Sequence, residues 1–356
     1  MKPTLQTVAD TMGVSRSTVS NAYSRPDQLS PQLREKILST ARRLGYAGPD
    51  PTARSLRRGR AGAIGVLLAP AVSYAFADPY AVEFMRGLAE TAEDHETSLL
   101  LVPLKDDDED ALAAVQSAAV DGFCVYCVPG WYRALEAVWA RGLPVVNSSQ
   151  LGSDYAGALY VGVDEAAATR ELGRHLAALG HRRIAVIGTH LGADQPPGPV
   201  SSPTTDDTTS YVTRERLRGY RDAFGEAGVA WSDVGVINAA SNIRDDGAMA
   251  AAQALDRASR PTAVAAITDV LALGVLDALA ERGLRAGRDV SVTGFDDIPD
   301  AAAAQLTTVR QSAVERGRIA GRLLLDPPTD PANRHVVLPA ELVVRASTGP
   351  AQKGND

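Results

Sequence analysis

From residue 63 onward the chain repeats one pattern, a short apolar run followed by an amphipathic stretch, and this limits the fold more than any other feature. Runs at 64–68, 98–102, 122–128, 145–147, 184–188, 234–237, 263–268 and 290–295 are short and almost continuously apolar, so they read as strands buried on both faces. Helical patterns lie between most of them, for example 79–93 and 312–325. Strand–helix alternation gives parallel sheets with helices on both faces, and eight such strands in 356 residues require two lobes rather than one. The expected class is α/β. Ligands of such sheets bind beyond the carboxyl ends of the strands, here a cleft between the lobes.

The first sixty residues have a different character. They hold eleven Lys and Arg against four Asp and Glu, a net +7, whereas the whole chain carries −7, so the remainder carries −14. A basic head on an acidic body suits a polyanion at the head and another task in the body. Leu5, Val8, Ala9 and Met12 form the apolar stripe of a short helix that Gly13 stops. Ser15 is an N-cap for a second helix burying Val19 and Ala22, with Val14 in the turn. Ser30 and Pro31 open a third, which buries Leu33, Ile37, Ala41 and Leu44 and stops at Gly45. The second helix keeps Arg16, Ser17, Ser20 and Asn21 on its outer face. Any small three-helix bundle has a polar face, but these side chains bond base edges in a major groove, and the +7 charge favours DNA.

Residues 50–59 join an N-cap (Asp50), a Pro at the first helical position (Pro51) and a Gly stop (Gly59) around barely two turns. A helix so short is marginal in water and orders only against a partner. Leu56 stands among Arg54, Arg57 and Arg58, the composition of an apolar minor-groove wedge flanked by phosphate-binding cations. A charged linker explains the arginines and leaves Leu56 without a role.

Residues 4–46, with Gly13-Val14-Ser15-Arg16-Ser17-Thr18-Val19-Ser20 and Ala41-Arg42-Arg43-Leu44-Gly45-Tyr46, resemble the lactose/galactose repressor family of bacterial transcription regulators. Ala53-Arg54-Ser55-Leu56 is similar to that family's hinge helix. The order of motifs continues through Asp164, Gly180-His181-Arg182-Arg183-Ile184, Pro261-Thr262-Ala263, the segment 269–274, the segment 289–297 and Leu306-Thr307-Thr308-Val309-Arg310-Gln311. The resemblance implies a helix-turn-helix head with a hinge helix and a two-lobed, periplasmic-binding-protein-like body. With the residue reading, it puts Arg16, Ser17 and Asn21 on base edges, Thr4, Ser15, Thr18, Ser20 and Arg57 on the DNA backbone, and Ala53, Arg54 and Leu56 in the minor groove. It implies domains at 1–49 (head), 50–61 (hinge and linker), 62–161 with 311–326 (N-terminal lobe), 162–310 with 327–348 (C-terminal lobe) and 349–356 (polar tail). Two departures are visible. The tail lacks a heptad-bearing helix, so a homodimer rather than a tetramer is expected, and residues 192–211, rich in Pro, Ser, Thr, Asp and Gly, suggest a mobile loop near the pocket mouth.

Polar groups lie just past several strand ends: Asp296 after 290–295, Thr268 closing 263–268, and Ser149 with Gln150 after Val145-Val146. The resemblance places Asp296, Arg216, Thr268, Ser149 and Gln311 where the family holds its small-molecule effector. An Arg and an Asp facing one cleft bond vicinal hydroxyls from both sides, and Phe76, Tyr74 or Trp131 offers a flat face for a sugar ring or a base.

Other constellations carry no chemistry. Cys124 and Cys127 are an odd number of residues apart in a strand and point to opposite faces, which marks them as core. The acidic run 106–110 precedes a helix whose dipole it matches. The five histidines lack metal spacing, and no P-loop or GxSxG occurs, so no cofactor, metal or catalytic role is expected. Without a run of about 20 apolar residues or an apolar leader, the chain is expected in the cytoplasm. The sequence thus indicates a DNA-binding regulator, foremost a repressor, acting on palindromic operator DNA under control of a small-molecule effector, a sugar or sugar derivative. The alternative is a solute-binding protein or sugar-processing enzyme on the same two-lobed body.

Overall fold

The computed structural model describes residues 3–49, 59–69, 72–104, 109–126, 128, 133–148, 159–192, 195–200, 208, 210–257 and 259–352. Two compact units divide the chain, Met1–Gly62 and Ala63–Asp356.

In the first unit, α1 (Leu5–Met12), α2 (Arg16–Ser24) and α3 (Pro31–Leu44) pack around Val8, Ala9, Val19, Ala22, Ile37 and Ala41. The expected starts and stops are all present. Ser15 Oγ accepts the Thr18 N–H at 3.1 Å, Ser30 Oγ accepts that of Leu33 at 3.3 Å, and Gly13 (φ 66°) and Gly45 (φ 73°) close their helices in the left-handed conformation. The core differs in detail: Leu33 and Leu44 are half-buried and Thr40 is buried, with its hydroxyl 3.2 Å from Met12 Sδ. A one-turn 3-10 helix at Pro26–Gln28, not foreseen from the sequence, leads from α2 to α3. Arg34 Nε donates to the Ala22 carbonyl at 3.2 Å and ties α3 to the end of α2.

The second unit contains two mainly parallel sheets. One has the order β12-β5-β4-β3-β1-β2, built from β1 (Ala63–Leu68), β2 (Ser98–Pro103), β3 (Gly122–Tyr126), β4 (Val145–Asn147), β5 (Leu159–Val163) and β12 (His335–Leu338). The other, β10-β9-β6-β8-β7, comprises β6 (Ile184–Gly188), β7 (Gly198–Pro199), β8 (Gly235–Asn238), β9 (Ala263–Ala266) and β10 (Ser291–Thr293). A two-stranded ladder pairs β11 (Thr308–Gln311) with β13 (Ala340–Val343). All eight expected strands are present within a few residues of their expected limits. Cys124 is buried in β3 as core, and Cys127 lies outside the described residues. Of the acidic run, Glu109 and Asp110 occupy the first turn of the helix Glu109–Ser117, and 106–108 lie outside the described residues.

Three sequence expectations need correction. Residues 327–348 do not all belong with the second lobe, because His335–Leu338 pairs in register with Tyr160–Val163 of the first sheet; the chain crosses between lobes near residue 339. Residues 349–352, assigned to the polar tail, are tied to the second lobe. Gly349 N donates to Ser291 Oγ at 3.0 Å, Ala351 N to the Leu179 carbonyl at 2.8 Å and Gln352 Nε2 to the Arg288 carbonyl at 2.9 Å. Within the stretch expected to be mobile, Gly198 and Pro199 join the second sheet, and Asn238 Nδ2 donates to the Gln195 carbonyl at 2.8 Å.

The first lobe is closed by the helices Pro79–Asp94 and Ala313–Leu325, which touch backbone to backbone. A Cβ on Gly317 meets the Phe84 carbonyl oxygen, and one on Gly87 meets that of Val314. Gly317→Ala is expected to cost about 1–3 kcal/mol in urea unfolding through overpacking. Gly225→Ala, on a helix where an added Cβ meets nothing within 4 Å, is the control and is expected to be neutral or mildly stabilising.

His181 fastens the C-terminal segment. Its ring nitrogens lie 3.0 Å from Thr262 Oγ1, 2.9 Å from Ser291 Oγ and 3.0 Å from the Gly349 carbonyl oxygen, and the residue is 2% exposed. Burial lowers its pKa. The unfolded chain therefore takes a proton near the ordinary histidine pKa while the folded chain does not, and this contribution to stability is lost as the pH falls below about 6.5. Asp269 acts in the opposite sense, since burial pushes its carboxyl up to about 6 and the folded state then binds the extra proton. The histidine's share is isolated by comparing wild type with His181→Gln between pH 7.5 and 5.5. The wild type is expected to lose stability faster, by at most about 1.4 kcal/mol per pH unit.

Candidate functional site

On the head, Arg16 and Ser17 are exposed and Thr18, Ser20 and Asn21 half-buried along α2. Ser15 Oγ lies 2.7 Å from Ser17 Oγ and 2.8 Å from Thr18 Oγ1, so three hydroxyls are gathered at the start of α2. Asn21 Nδ2 donates to Gln28 Oε1 at 3.1 Å, which fixes its amide. Thr4 caps α1 in a reciprocal pair with Thr7. Arg57 and the hinge residues Ala53, Arg54 and Leu56 lie outside the described residues.

The body holds a cavity of about 230 Å³ at the carboxyl ends of both sheets. From the first sheet it takes Ala69 after β1, Tyr126 and Val128 at the end of β3, and Asp78 with Tyr80 at the start of the helix Pro79–Asp94. From the second it takes Thr189 after β6, Asn242 after β8, Thr268 after β9 and Asp296 after β10. Each strand ends and a helix or loop begins at this level, so polar side chains reach the cavity from first turns while the strands stay apolar.

Arg216, 4% exposed on the helix Tyr211–Glu226, is held from several sides. Its Nε donates to Glu165 Oε2 at 2.8 Å and its Nη1 to the Ile267 carbonyl at 2.5 Å, while Nη2 is 3.6 Å from Asp296 Oδ1. The guanidinium also stacks 3.6 Å from the Phe295 ring centroid. Burial opposes its charge, but Glu165 and Asp296 outweigh that and hold it firmly protonated.

Asp296 has φ 124°, backbone that non-glycine residues rarely adopt. Neighbours enforce it. Its N–H donates to the Val309 carbonyl at 2.9 Å, Asp297 accepts from Arg310 Nε at 2.7 Å and Arg345 Nη2 at 2.6 Å, and the Ile298 N–H donates to Asp269 Oδ2 at 3.0 Å. Thr308 Oγ1 donates to Asp269 Oδ1 at 2.6 Å, so the loop is fixed to β11 as well. The turn aims the Asp296 carboxylate at Gln311, whose Nε2 donates to Oδ1 at 2.7 Å. Burial pushes the Asp296 carboxyl well above the usual range, with Arg216 pulling the other way.

Of the residues expected to hold a ligand, Arg216, Thr268, Asp296 and Gln311 line this one cavity. Thr268 caps the helix Asp269–Glu281 and donates its hydroxyl to Asn242 Oδ1 at 2.6 Å. Phe76 does not line it and is 67% exposed, so the aromatic surface comes instead from Tyr80, Tyr126 and Tyr211. Ser149, Gln150, Trp131 and the side chain of Tyr74 lie outside the described residues. Sequence reasoning missed Asp78, Tyr80, Glu165, Asn242 and Arg316. The Asp78-Pro79 pair and the N-caps Asp164 and Ser312 were the available signals, because they put Tyr80, Glu165 and Arg316 in the first turns of helices that follow strand ends. Arg316 Nη1 donates to Tyr80 Oη at 3.1 Å and Gln311 Oε1 at 3.3 Å, Nε to the Val161 carbonyl at 3.3 Å, and Nη2 to the Ser148 carbonyl. Burial pushes the Tyr80 hydroxyl up to about 12, so it is neutral in this network.

Residues 4–48 match the model for bacterial regulatory proteins of the lacI family, and residues 174–348 match a periplasmic binding protein-like domain. The chain is 41% identical to the HTH-type transcriptional regulator Rv3575c of Mycobacterium tuberculosis, over 98% of each sequence. Among solved structures, the lac repressor dimer bound to operator and the anti-inducer ONPF aligns with a TM-score of 0.75 at 25% identity, over 98% of this chain and 99% of that one. The complex of the transcriptional regulator CelR with cellobiose aligns with a TM-score of 0.67 at 27% identity, over 97% and 99%. A three-helix head, a two-sheet body with its cavity at the strand ends, and a relative matched over nearly its whole length agree: the chain belongs to the lacI family of bacterial regulatory proteins.

Proposed function

We propose that the protein is a homodimeric repressor that binds a palindromic operator through its two heads and releases or holds it according to a sugar or sugar derivative bound between the lobes. The observation that carries this reading is the cavity in which Arg216, Thr268, Asp296 and Gln311 converge, on a chain whose first sixty residues carry +7. The cellobiose complex of CelR and the operator complex of the lac repressor dimer support the two halves of it. Arg16, Ser17 and Asn21 read base edges; Thr4, Ser15, Thr18, Ser20 and Arg57 hold the phosphate backbone; Ala53, Arg54 and Leu56 enter the minor groove. The protein works in the cytoplasm and carries no catalytic activity. No helix among the described residues is long and apolar enough to cross a membrane. A solute-binding protein or sugar-processing enzyme on the same body is disfavoured by the head, which neither needs.

Operator titration by fluorescence anisotropy tests this. Each neutralised phosphate contributes about 0.9 to the slope of log affinity against log salt, so a steep negative slope is expected, and a slope near zero rules out the DNA reading. Arg16→Ala is expected to relax preference at one position of each half-site by roughly 1–3 kcal/mol. Equal weakening on every sequence would make Arg16 a phosphate contact.

A further inference from the structure

α2 ends at Ser24, and the chain then folds back on it. The Arg25 N–H donates to the Asn21 carbonyl at 2.9 Å, Pro26–Gln28 makes its one 3-10 turn, and Leu29 packs against the core of the head. The backbone around Gln28 is tied down on both sides, since Gln28 N donates to the Arg25 carbonyl at 3.1 Å and Leu29 N to that of Pro26 at 3.3 Å. This return brings Gln28 beside the side chain of Asn21, seven residues earlier, so that its Oε1 accepts from Asn21 Nδ2 at 3.1 Å. Asn21 follows the exposed Ser17 by one turn on the same face of α2. Gln28 is exposed and Asn21 half-buried, so water can satisfy both amides and stability does not require the bond. Its effect falls on what Asn21 presents. A side-chain amide carries an acceptor on one side and two donors on the other, and half a turn about its last torsion exchanges them. With one Nδ2 proton committed to Gln28, Oδ1 and the second proton remain, an acceptor beside a donor. That edge complements adenine in the major groove, where N6 donates and N7 accepts. Fixing it beforehand also removes the cost of ordering the side chain on the DNA.

Resting on the reading of Asn21 as a base contact, we infer that Gln28 is a positioning residue for Asn21, and that the pair sets a preference for adenine at one position of each half-site. Gln28 acts through the Asn21 amide and reads no base itself.

The test is selection by the full-length protein from a duplex library with a randomised palindromic site, followed by anisotropy titration of the selected site and its single-position variants. The wild type is expected to enrich adenine at one half-site position, and Asn21→Ala to lose that preference alone. Gln28→Met keeps the length of the side chain without the amide, and is expected to relax discrimination at the same position by roughly tenfold with the other positions unchanged. Added to Asn21→Ala it is expected to change nothing further, because the two residues act as one unit. Gln28→Glu keeps an acceptor for Asn21 Nδ2, so the adenine preference is expected to persist while the added negative charge weakens binding to every sequence alike. A merely structural role would lower affinity on all sequences in both Gln28 variants without moving the preference. That result, or Gln28→Met selecting as the wild type does, overturns the inference and leaves Asn21 as a base contact. So does relaxation by Gln28→Met of a position that Asn21→Ala leaves intact, loss of the preference in Gln28→Glu, or enrichment of a base other than adenine at the position Asn21 reads. Asn21→Ala selecting as the wild type does takes Asn21 out of base reading and the inference with it. A wild type that enriches no sequence overturns the DNA reading as a whole.

Discussion

Arg216→Ala is expected to abolish the effector response, so that operator binding becomes the same with and without the ligand. The substitution removes the donor facing the cavity, and it also leaves Glu165 and Asp296 buried without their cation. Breaking one side of a buried ion pair costs about 3–5 kcal/mol in general, and here protonation of Asp296, already favoured by burial, absorbs part of it. Arg216→Lys separates the two effects. Lysine keeps a positive charge beside Glu165 but has neither the planar fork that bonds Glu165 and the Ile267 carbonyl together nor the flat face that stacks on Phe295. The lysine variant is expected to melt closer to wild type than the alanine variant and still to lose most of the response. The measurement is operator titration by anisotropy with and without effector, beside thermal melts of the three proteins. An alanine variant that still responds as the wild type does would remove Arg216 from the effector site.

How much of this site was legible in the sequence follows from what holds each group. Thr268 and Asp296 stand just past strand ends, which are visible as the limits of apolar runs, whereas Arg216, on the helix Tyr211–Glu226, and Gln311 were reached through the family resemblance. Arg316 and Glu165 are marked only by the N-caps Ser312 and Asp164 before them. Each sits in the first turn of an amphipathic helix, where a charged side chain reads as solvated, and only the folded geometry turns it inward. Phe76 shows the converse error: an aromatic near the right place in the chain stands out to solvent, while Tyr80, four residues on and behind a Pro, is 7% exposed and lines the cavity.

The fold divides similarly. Continuous runs of Val, Ile, Leu and Ala mark strands, and all eight expected from them are present, although β2, at a sheet edge, is half-exposed rather than buried on both faces. β5 was missed although it is fully buried. β12 and β13 were missed because they are short and half-exposed, alternating His335, Val337 and Glu341 outward, with Pro339 between them. That omission is what displaced the lobe boundary. Pairing between residues 335 and 160 is a long-range choice that no local signal fixes.

Leu56→Ala is expected to weaken specific operator binding by a few kcal/mol, the scale of unstacking a base step, while leaving effector affinity of the free protein unchanged. Residues 50–58 lie outside the described residues, and their sequence carries the expectation. A segment with a Pro at its first position and a Gly at its end, too short to be helical alone, gains helix only where something stabilises it. In a dimer on a palindrome the two copies meet at the centre of the site, each offering one leucine between arginines. An apolar side chain inserted there pries a step open and bends the duplex, and the arginines hold the phosphates on either side. Ordering of the segment is then coupled to operator occupancy, and a change of lobe angle that moves the two segments apart withdraws both leucines at once. Leu56→Ala keeps helix propensity and charge and deletes only the wedge. Its loss should therefore appear on the operator and vanish on non-specific DNA, where the salt slope of the head dominates. Equal operator affinity for variant and wild type would reduce the segment to a linker and send the coupling between cavity and head by another route.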